Sequence, residues 1–196
     1  MKEIIVASNN AHKINEIQNI LGSLFNVKGL KELNINIDVE ENGKTYKENA
    51  LIKARAISSI SNSYILADDS GLEIFALPDI LGIYSARFLG EDTPYPIRFK
   101  EIYRLLEDKE NKRARFVCGL VLITPDKKEF YLEGEVRGKI GDVQGEYGFG
   151  YDPIFYPEGY DCSIANLTNE EKNLISHRGN AIKKLKVLLK ELDKND

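Results

Sequence analysis

Short apolar runs alternate with amphipathic stretches along this chain, and that alternation predicts a mixed α/β fold. Ile4-Ile5-Val6-Ala7 reads as a buried strand. Ser8-Asn9-Asn10 breaks it and offers caps to a helix whose inner positions are Ile14, Ile17, Leu21 and Leu24. A second strand is expected at roughly 25–30, with Gly22 and Gly29 near its turns. Residues 38–44 read as an acidic loop. Thr45 caps the next helix, Glu48 completes a capping box, and Ala50, Ala54 and Ile57 form the inner stripe. Residues 64–69 and 72–77 read as two short strands joined by a tight polar turn, Asp69-Ser70-Gly71.

Residues 78–93, with Pro78, Gly82 and Gly90, read as a loop, and a helix is expected over roughly 96–108 with Ile102, Leu105 and Leu106 inward. Phe116 to Ile123 is almost continuously apolar, as a strand covered on both faces should be. After a turn at Pro125-Asp126 the pattern alternates. Phe130, Leu132, Val136 and Ile140 face one way, and Tyr131, Glu133, Glu135, Arg137 and Lys139 the other. A Gly-rich loop over 141–152 leads to a short strand from Pro153 to Tyr156. Thr168 and Glu171 form a capping box, and a last helix buries Ala181, Leu185, Leu188, Leu189 and Leu192. Its Lys183, Lys184, Lys186 and Lys190 read as a solvated face.

Length and composition narrow the class. With 196 residues the chain suits a single domain, 1–196, of two lobes. There are 31 acidic and 27 basic residues, and a net charge of −4 argues against a general nucleic-acid binder. No run approaches the roughly 20 apolar residues of a membrane span, so no membrane association is expected. Two cysteines, Cys118 and Cys162, and the absence of a targeting segment point to a reducing cytoplasm.

Four constellations carry chemistry. Ala67-Asp68-Asp69-Ser70-Gly71 puts two carboxylates at the end of an apolar strand, where α/β proteins build sites. Neighbouring strand residues point to opposite faces, so one carboxylate is expected to reach a given pocket. With Glu40 or Glu41, that carboxylate supplies hard oxygen ligands suited to Mg²⁺. Ser8-Asn9-Asn10-Ala11-His12-Lys13 lies between a strand and a helix N-terminus, a place suited to phosphate, although neither the P-loop nor the dinucleotide fingerprint is present. Gly148-Phe149-Gly150-Tyr151-Asp152-Pro153 sets aromatics between glycines, as a stacked base requires. Ser176-His177-Arg178-Gly179 offers fixed donors to a keto oxygen.

Together and in this order, these stretches resemble the house-cleaning inosine/xanthosine triphosphate pyrophosphatase family. The likeness runs through Ser8–Lys13, Glu40–Ala56 with Glu48-Asn49-Ala50, Ala67–Gly71, Gly82–Arg87, Gly148–Phe155 and Leu167–Gly179. Leu81, where the family carries proline, is among its small departures. The resemblance implies an elongated, two-lobed α/β fold around a long curved mixed β-sheet, with flanking helices, a central cleft and homodimers. It implies Mg²⁺-dependent hydrolysis of ITP, dITP and XTP to monophosphate and pyrophosphate. Asp69 would then be the general base, with Glu40 and Asp69 holding Mg²⁺ and Asp68 in support. Ser8, Asn9, Asn10, Ala11, His12, Lys13 and Ser70 would bind the substrate's phosphate side, with Lys53 a weaker candidate. Phe149, Gly150, Tyr151, Asp152, Lys172, His177 and Arg178 would bind the base. Competing readings are a pyrimidine-nucleotide pyrophosphatase, a nucleotide-binding regulator without turnover, and a nucleic-acid module stacking on Phe149 and Tyr151.

Overall fold

The computed structural model describes residues 1–195; Asp196, part of the single domain expected from sequence, lies outside the described residues. Six strands form one mixed sheet in the order β2-β1-β3-β4-β5-β6: β1 (Lys2–Val6), β2 (Phe25–Gly29), β3 (Tyr64–Ile74), β4 (Arg113–Ile123), β5 (Glu129–Ile140) and β6 (Phe155–Pro157). β1 pairs in parallel with β2 and β3, whereas β5 and β6 are antiparallel. The helices are α1 (Ala11–Leu21), α2 (Tyr46–Ser58), α3 (Tyr95–Leu105), α4 (Asn169–Ile175) and α5 (His177–Asn195). Among the described residues no helix is long and apolar enough to cross a membrane.

The chain divides into two compact units, each discontinuous in sequence. The first comprises residues 1–69, 118–134 and 178–196, and the second 70–117 and 135–177. In the first unit the alternation of strand side chains builds two cores. Ile4, Val6, Leu66, Cys118 and Leu120 pack with Ile17 and Leu21 of α1 and with Ala181, Leu185 and Leu189 of α5. Ile5, Ala7, Ile65, Ala67 and Val121 pack with Ala50, Ala54 and Ile57 of α2. The second unit has one core, from Leu72 and Ile74 of β3 to Phe99 and Ile102 of α3 and Phe155 of β6.

The main correction concerns residues 69–71. They form no turn: Tyr64–Ile74 is one strand of 11 residues. Asp, Ser and Gly read as turn formers because they usually bond locally, but here their partners come from distant segments. Gly71 shows why the strand must continue. A Cβ at this position would lie 1.9 Å from the Gly82 carbonyl oxygen. The residue is glycine because another backbone is laid against it. Ser85 fastens that contact, its Oγ accepting from the Leu72 N–H (2.9 Å) and donating to the Gly82 carbonyl (2.6 Å). Gly71→Ala is therefore expected to destabilise by about 3 kcal/mol through overpacking, read as a lower urea midpoint.

Smaller corrections have similar causes. Residues 82–87 are a 3-10 helix rather than loop. α1 ends at Leu21, leaving Leu24 exposed. Glu48 does not complete a capping box. Thr45 Oγ1 accepts from the Glu48 N–H, but the Glu48 carboxylate takes the Lys44 N–H at 2.6 Å. The box at Thr168 and Glu171 is complete. β6 begins at Phe155, two residues later than expected, because Asp152–Ile154 makes a 3-10 turn.

Candidate active site

The first unit gathers its charges around the middle of β3, since Asp68 and Asp69, expected at a strand end, are the fifth and sixth of its 11 residues. Asp68 follows Leu66 on the face covered by α1 and α5, and Asp69 follows Ala67 on the face covered by α2. The two carboxylates therefore have different surroundings, as the strand period predicts. Lys13 Nζ lies 3.1 Å from Asp68 Oδ2, and Arg178 donates to the same oxygen from Nη2 at 3.0 Å and Nε at 3.3 Å. Arg178 Nη1 also pairs with Glu16. Burial alone would raise the Asp68 pKa, but the charges of Lys13, Arg178 and Lys53 more than offset it. Its carboxyl is held far below the usual carboxylate range. Asp68 Oδ1 is buried and has no hydrogen-bond partner among the described residues.

Asp69 is set up the other way. Burial pushes its pKa above the ordinary aspartate value, the Glu41 charge adds to that, and Lys53, Asn49 and Lys13 only partly offset it. Asn49 Nδ2 donates to Asp69 Oδ2 at 3.0 Å, and Asn49 Oδ1 accepts the Gly43 N–H at 2.8 Å, tying the acidic loop to α2. Lys53 Nζ donates to the Asp68 carbonyl (2.7 Å) and pairs with Glu41 (3.1 Å). A buried carboxylate with a raised pKa, aligned by an amide, is the form a general base takes.

The donor set suits a hard divalent cation. Among the described residues no three His, Cys, Asp or Glu side chains group closely enough to cage a metal. Mg²⁺ needs no cage: it takes one or two carboxylates and completes its shell with water and substrate phosphate. Glu41, not Glu40, is the loop residue drawn to Lys53 and Asp69; Glu40 is exposed.

At the start of α1, Asn10 is the N-cap, its Oδ1 accepting from the His12 and Lys13 N–H groups, while Ser8 Oγ accepts the Asn10 N–H. Asn9, Asn10, Ala11 and His12 are exposed. What suits this end of α1 to phosphate is its exposure and the positive end of the helix dipole, with Lys13 beside it.

The second unit holds the aromatic loop. Gly148 and Gly150 have φ of 76° and 66°, backbone that glycine adopts without strain. Asp152 Oδ2 accepts both the Phe149 N–H (2.8 Å) and Lys172 Nζ (2.7 Å). Lys172 Nζ stands 4.5 Å from the Phe149 ring centre. Asp152 and Lys172, both expected to bind the base, thus pair with each other and shape the loop. Tyr151 is buried, its hydroxyl donating to the Ser85 carbonyl at 2.6 Å. His177 stacks on Phe116, ring centres 4.9 Å apart. Ser70, half-buried, opens this unit's stretch of β3.

Sequence reasoning grouped His177 with Arg178, yet they fall in different units, and Arg178 is committed to Asp68 and Glu16. It missed Glu16 and Asn49 as site residues. Asn49 had a signal, since it lies in the Glu48-Asn49-Ala50 segment of the resemblance and is a buried amide on a helix's inner face. Glu16 had none, because an acid beside Ile17 on an amphipathic helix reads as surface.

A mixed α/β chain with paired carboxylates in mid-strand, converging lysines and an exposed helix N-terminus defines a protein suited to a phosphorylated ligand. The Ham1 family profile matches residues 4–188. The chain is 45% identical over 196 residues, all of both chains, to the dITP/XTP pyrophosphatase of Staphylococcus aureus strain MW2. It is 42% identical over 193 residues to the dITP/XTP pyrophosphatase of Bacillus subtilis strain 168, covering 96% of this chain and 98% of that one. The solved Ham1 protein of Staphylococcus aureus superposes with a TM-score of 0.87 at 43% identity, covering 97% of this chain and 99% of that one. The chain belongs to the Ham1 family.

Proposed function

We propose that this protein hydrolyses deaminated purine nucleoside triphosphates (dITP, XTP and ITP) to the monophosphate and pyrophosphate, with Mg²⁺, removing them from the nucleotide pool. The observation that carries the reading is the unequal pair in the middle of β3: Asp68 held as an anion by Lys13 and Arg178, and Asp69 with its pKa raised beside Asn49 and Lys53. The names of the relatives supply the substrate class.

Asp69 takes a proton from the water that attacks the α-phosphorus; the bond to the bridging oxygen breaks and pyrophosphate leaves. Ser8, Asn10, Lys13 and the start of α1 receive phosphate oxygens, and Lys53 adds positive charge beside Asp69. Asp69 and the Glu40–Glu41 pair would hold Mg²⁺, which offsets phosphate charge and favours the leaving group. Phe149 offers a face to the base, and His177 donates to a C6 oxygen, which adenine lacks. The enzyme works as a homodimer in a reducing cytoplasm, a setting compatible with two free cysteines.

A panel of nucleoside triphosphates with pyrophosphate release as the readout tests this. ITP, dITP and XTP should be turned over about 100-fold better than ATP by kcat/KM, and a chelator should abolish turnover. Preference for a pyrimidine triphosphate, or stoichiometric binding without hydrolysis, would overturn the reading.

A further inference from the structure

Arg98 lies on α3 in the second unit and is only 1% exposed, yet it makes no ion pair among the described residues. All of its donors go to backbone. Nε donates to the Thr93 carbonyl at 2.9 Å, Nη1 to Ser85 (3.0 Å) and Ala86 (2.9 Å), and Nη2 to Gly90 (2.9 Å) and Glu91 (3.1 Å). That is the full donor inventory of a guanidinium. Burying a cation with no counter-charge is costly unless dipoles replace water; here carbonyls of the 82–87 3-10 helix and of the loop that follows it do so. The 85–93 segment is thereby wrapped around a single side chain.

Two contacts carry that order to the aromatic loop. The Ser85 carbonyl bonded by Arg98 also accepts the Tyr151 hydroxyl at 2.6 Å. The Tyr95 ring lies 4.8 Å from the Arg98 guanidinium on one side and meets Tyr151 edge-on at 5.1 Å on the other. A Cβ at Gly150 would also meet the Tyr95 hydroxyl, at 3.6 Å. Gly150 and Tyr151 lie within Phe149–Asp152, the segment assigned to the base.

We propose that Arg98 is a positioning residue for base recognition: it shapes residues 85–93 into the support that holds Tyr151, and so sets Phe149–Asp152. This rests on the reading of that segment as the base-binding loop. Lysine cannot replace Arg98, because one ammonium on a flexible stem cannot serve five carbonyls spread across a planar fork.

The test uses the whole protein and two probes, inosine monophosphate and inorganic pyrophosphate, with calorimetry as the readout. Arg98→Lys should weaken inosine monophosphate binding about 10-fold while leaving pyrophosphate binding within about 2-fold. KM for ITP should rise with kcat nearly unchanged. In a double-mutant cycle with Tyr151→Phe, the losses should be less than additive, since both act through the Ser85 carbonyl. If Arg98→Lys does not fold, amide exchange on the wild-type protein decides: saturating inosine monophosphate should slow exchange across 85–93. Unchanged inosine monophosphate affinity in a folded variant, an additive cycle, or unaltered exchange across 85–93 would overturn the proposal. A wild-type protein that neither binds inosine monophosphate nor hydrolyses ITP would instead sink the functional reading and this proposal with it.

Discussion

Asp69→Asn should abolish most turnover of ITP, by about 10³-fold, within the range that general-base catalysis supplies. The substitution keeps shape and volume. Asn49 Nδ2 donates to Asp69 Oδ2 at 3.0 Å, and an asparagine can present its own carbonyl oxygen to that donor. What disappears is the lone pair that takes a proton, together with one negative charge. Because burial already disfavours that charge, as the raised pKa shows, the variant should be at least as stable as the parent at neutral pH. The informative result is a folded, thermally intact protein with almost no pyrophosphate release. Turnover within a few-fold of wild type would show that the base lies elsewhere.

The largest effect on stability is expected from Arg178→Ala. It leaves the buried Asp68 and Glu16 carboxylates without their shared cation. Breaking a buried pair in this way costs about 3–5 kcal/mol, so the melting temperature should fall by about 10 °C or more. The pH dependence has a definite sign. The folded-state pKa of Asp68 is depressed, so its stabilising contribution is fully present above the unfolded value of about 4 and is lost as pH falls through the depressed value. The gap between wild type and variant should therefore be widest at neutral pH and narrow on acidification, because protonation relieves the carboxylates that Arg178 served. A gap independent of pH would assign the loss to packing alone. The placement of Arg178 also bears on specificity. Its guanidinium is held away from solvent by two acids, so a change in base preference on its removal would reflect movement of Asp68 as well as loss of a donor.

Much of the framework was legible because it rests on local periodicity. Strands and helices fell where apolar spacing put them, and the division of Asp68 from Asp69 onto opposite faces follows from a period of two. The misreading at 69–71 has a physical cause. Turn chemistry is inferred from residues that satisfy themselves locally, whereas Asp69 is met by Asn49, 20 residues away, and Gly71 lies against the Gly82 backbone. Arg98 and Glu16 went unread for a related reason. On an amphipathic helix a charged residue reads as solvent-facing, and only the fold reveals that five carbonyls enclose one and a guanidinium meets the other. The 148–152 loop was located by its glycines, but the Asp152–Lys172 pair that shapes it spans 20 residues.

The scattered make-up of the first unit has a consequence for the order of events during synthesis. Asp68 and Arg178 are 110 residues apart, and α5, which supplies Arg178 and part of one core, is the last described helix to leave the ribosome. Until it emerges, a nascent chain holds Asp68 and Glu16 with no guanidinium to meet them and an apolar sheet face covered by α1 alone. Long-range closure of this kind slows folding and prolongs exposure to aggregation. The second unit lies entirely between residues 70 and 177, so all of it is available before that closure. The aromatic loop and its arginine-wrapped support are therefore in a position to mature first, and the acid–base centre last.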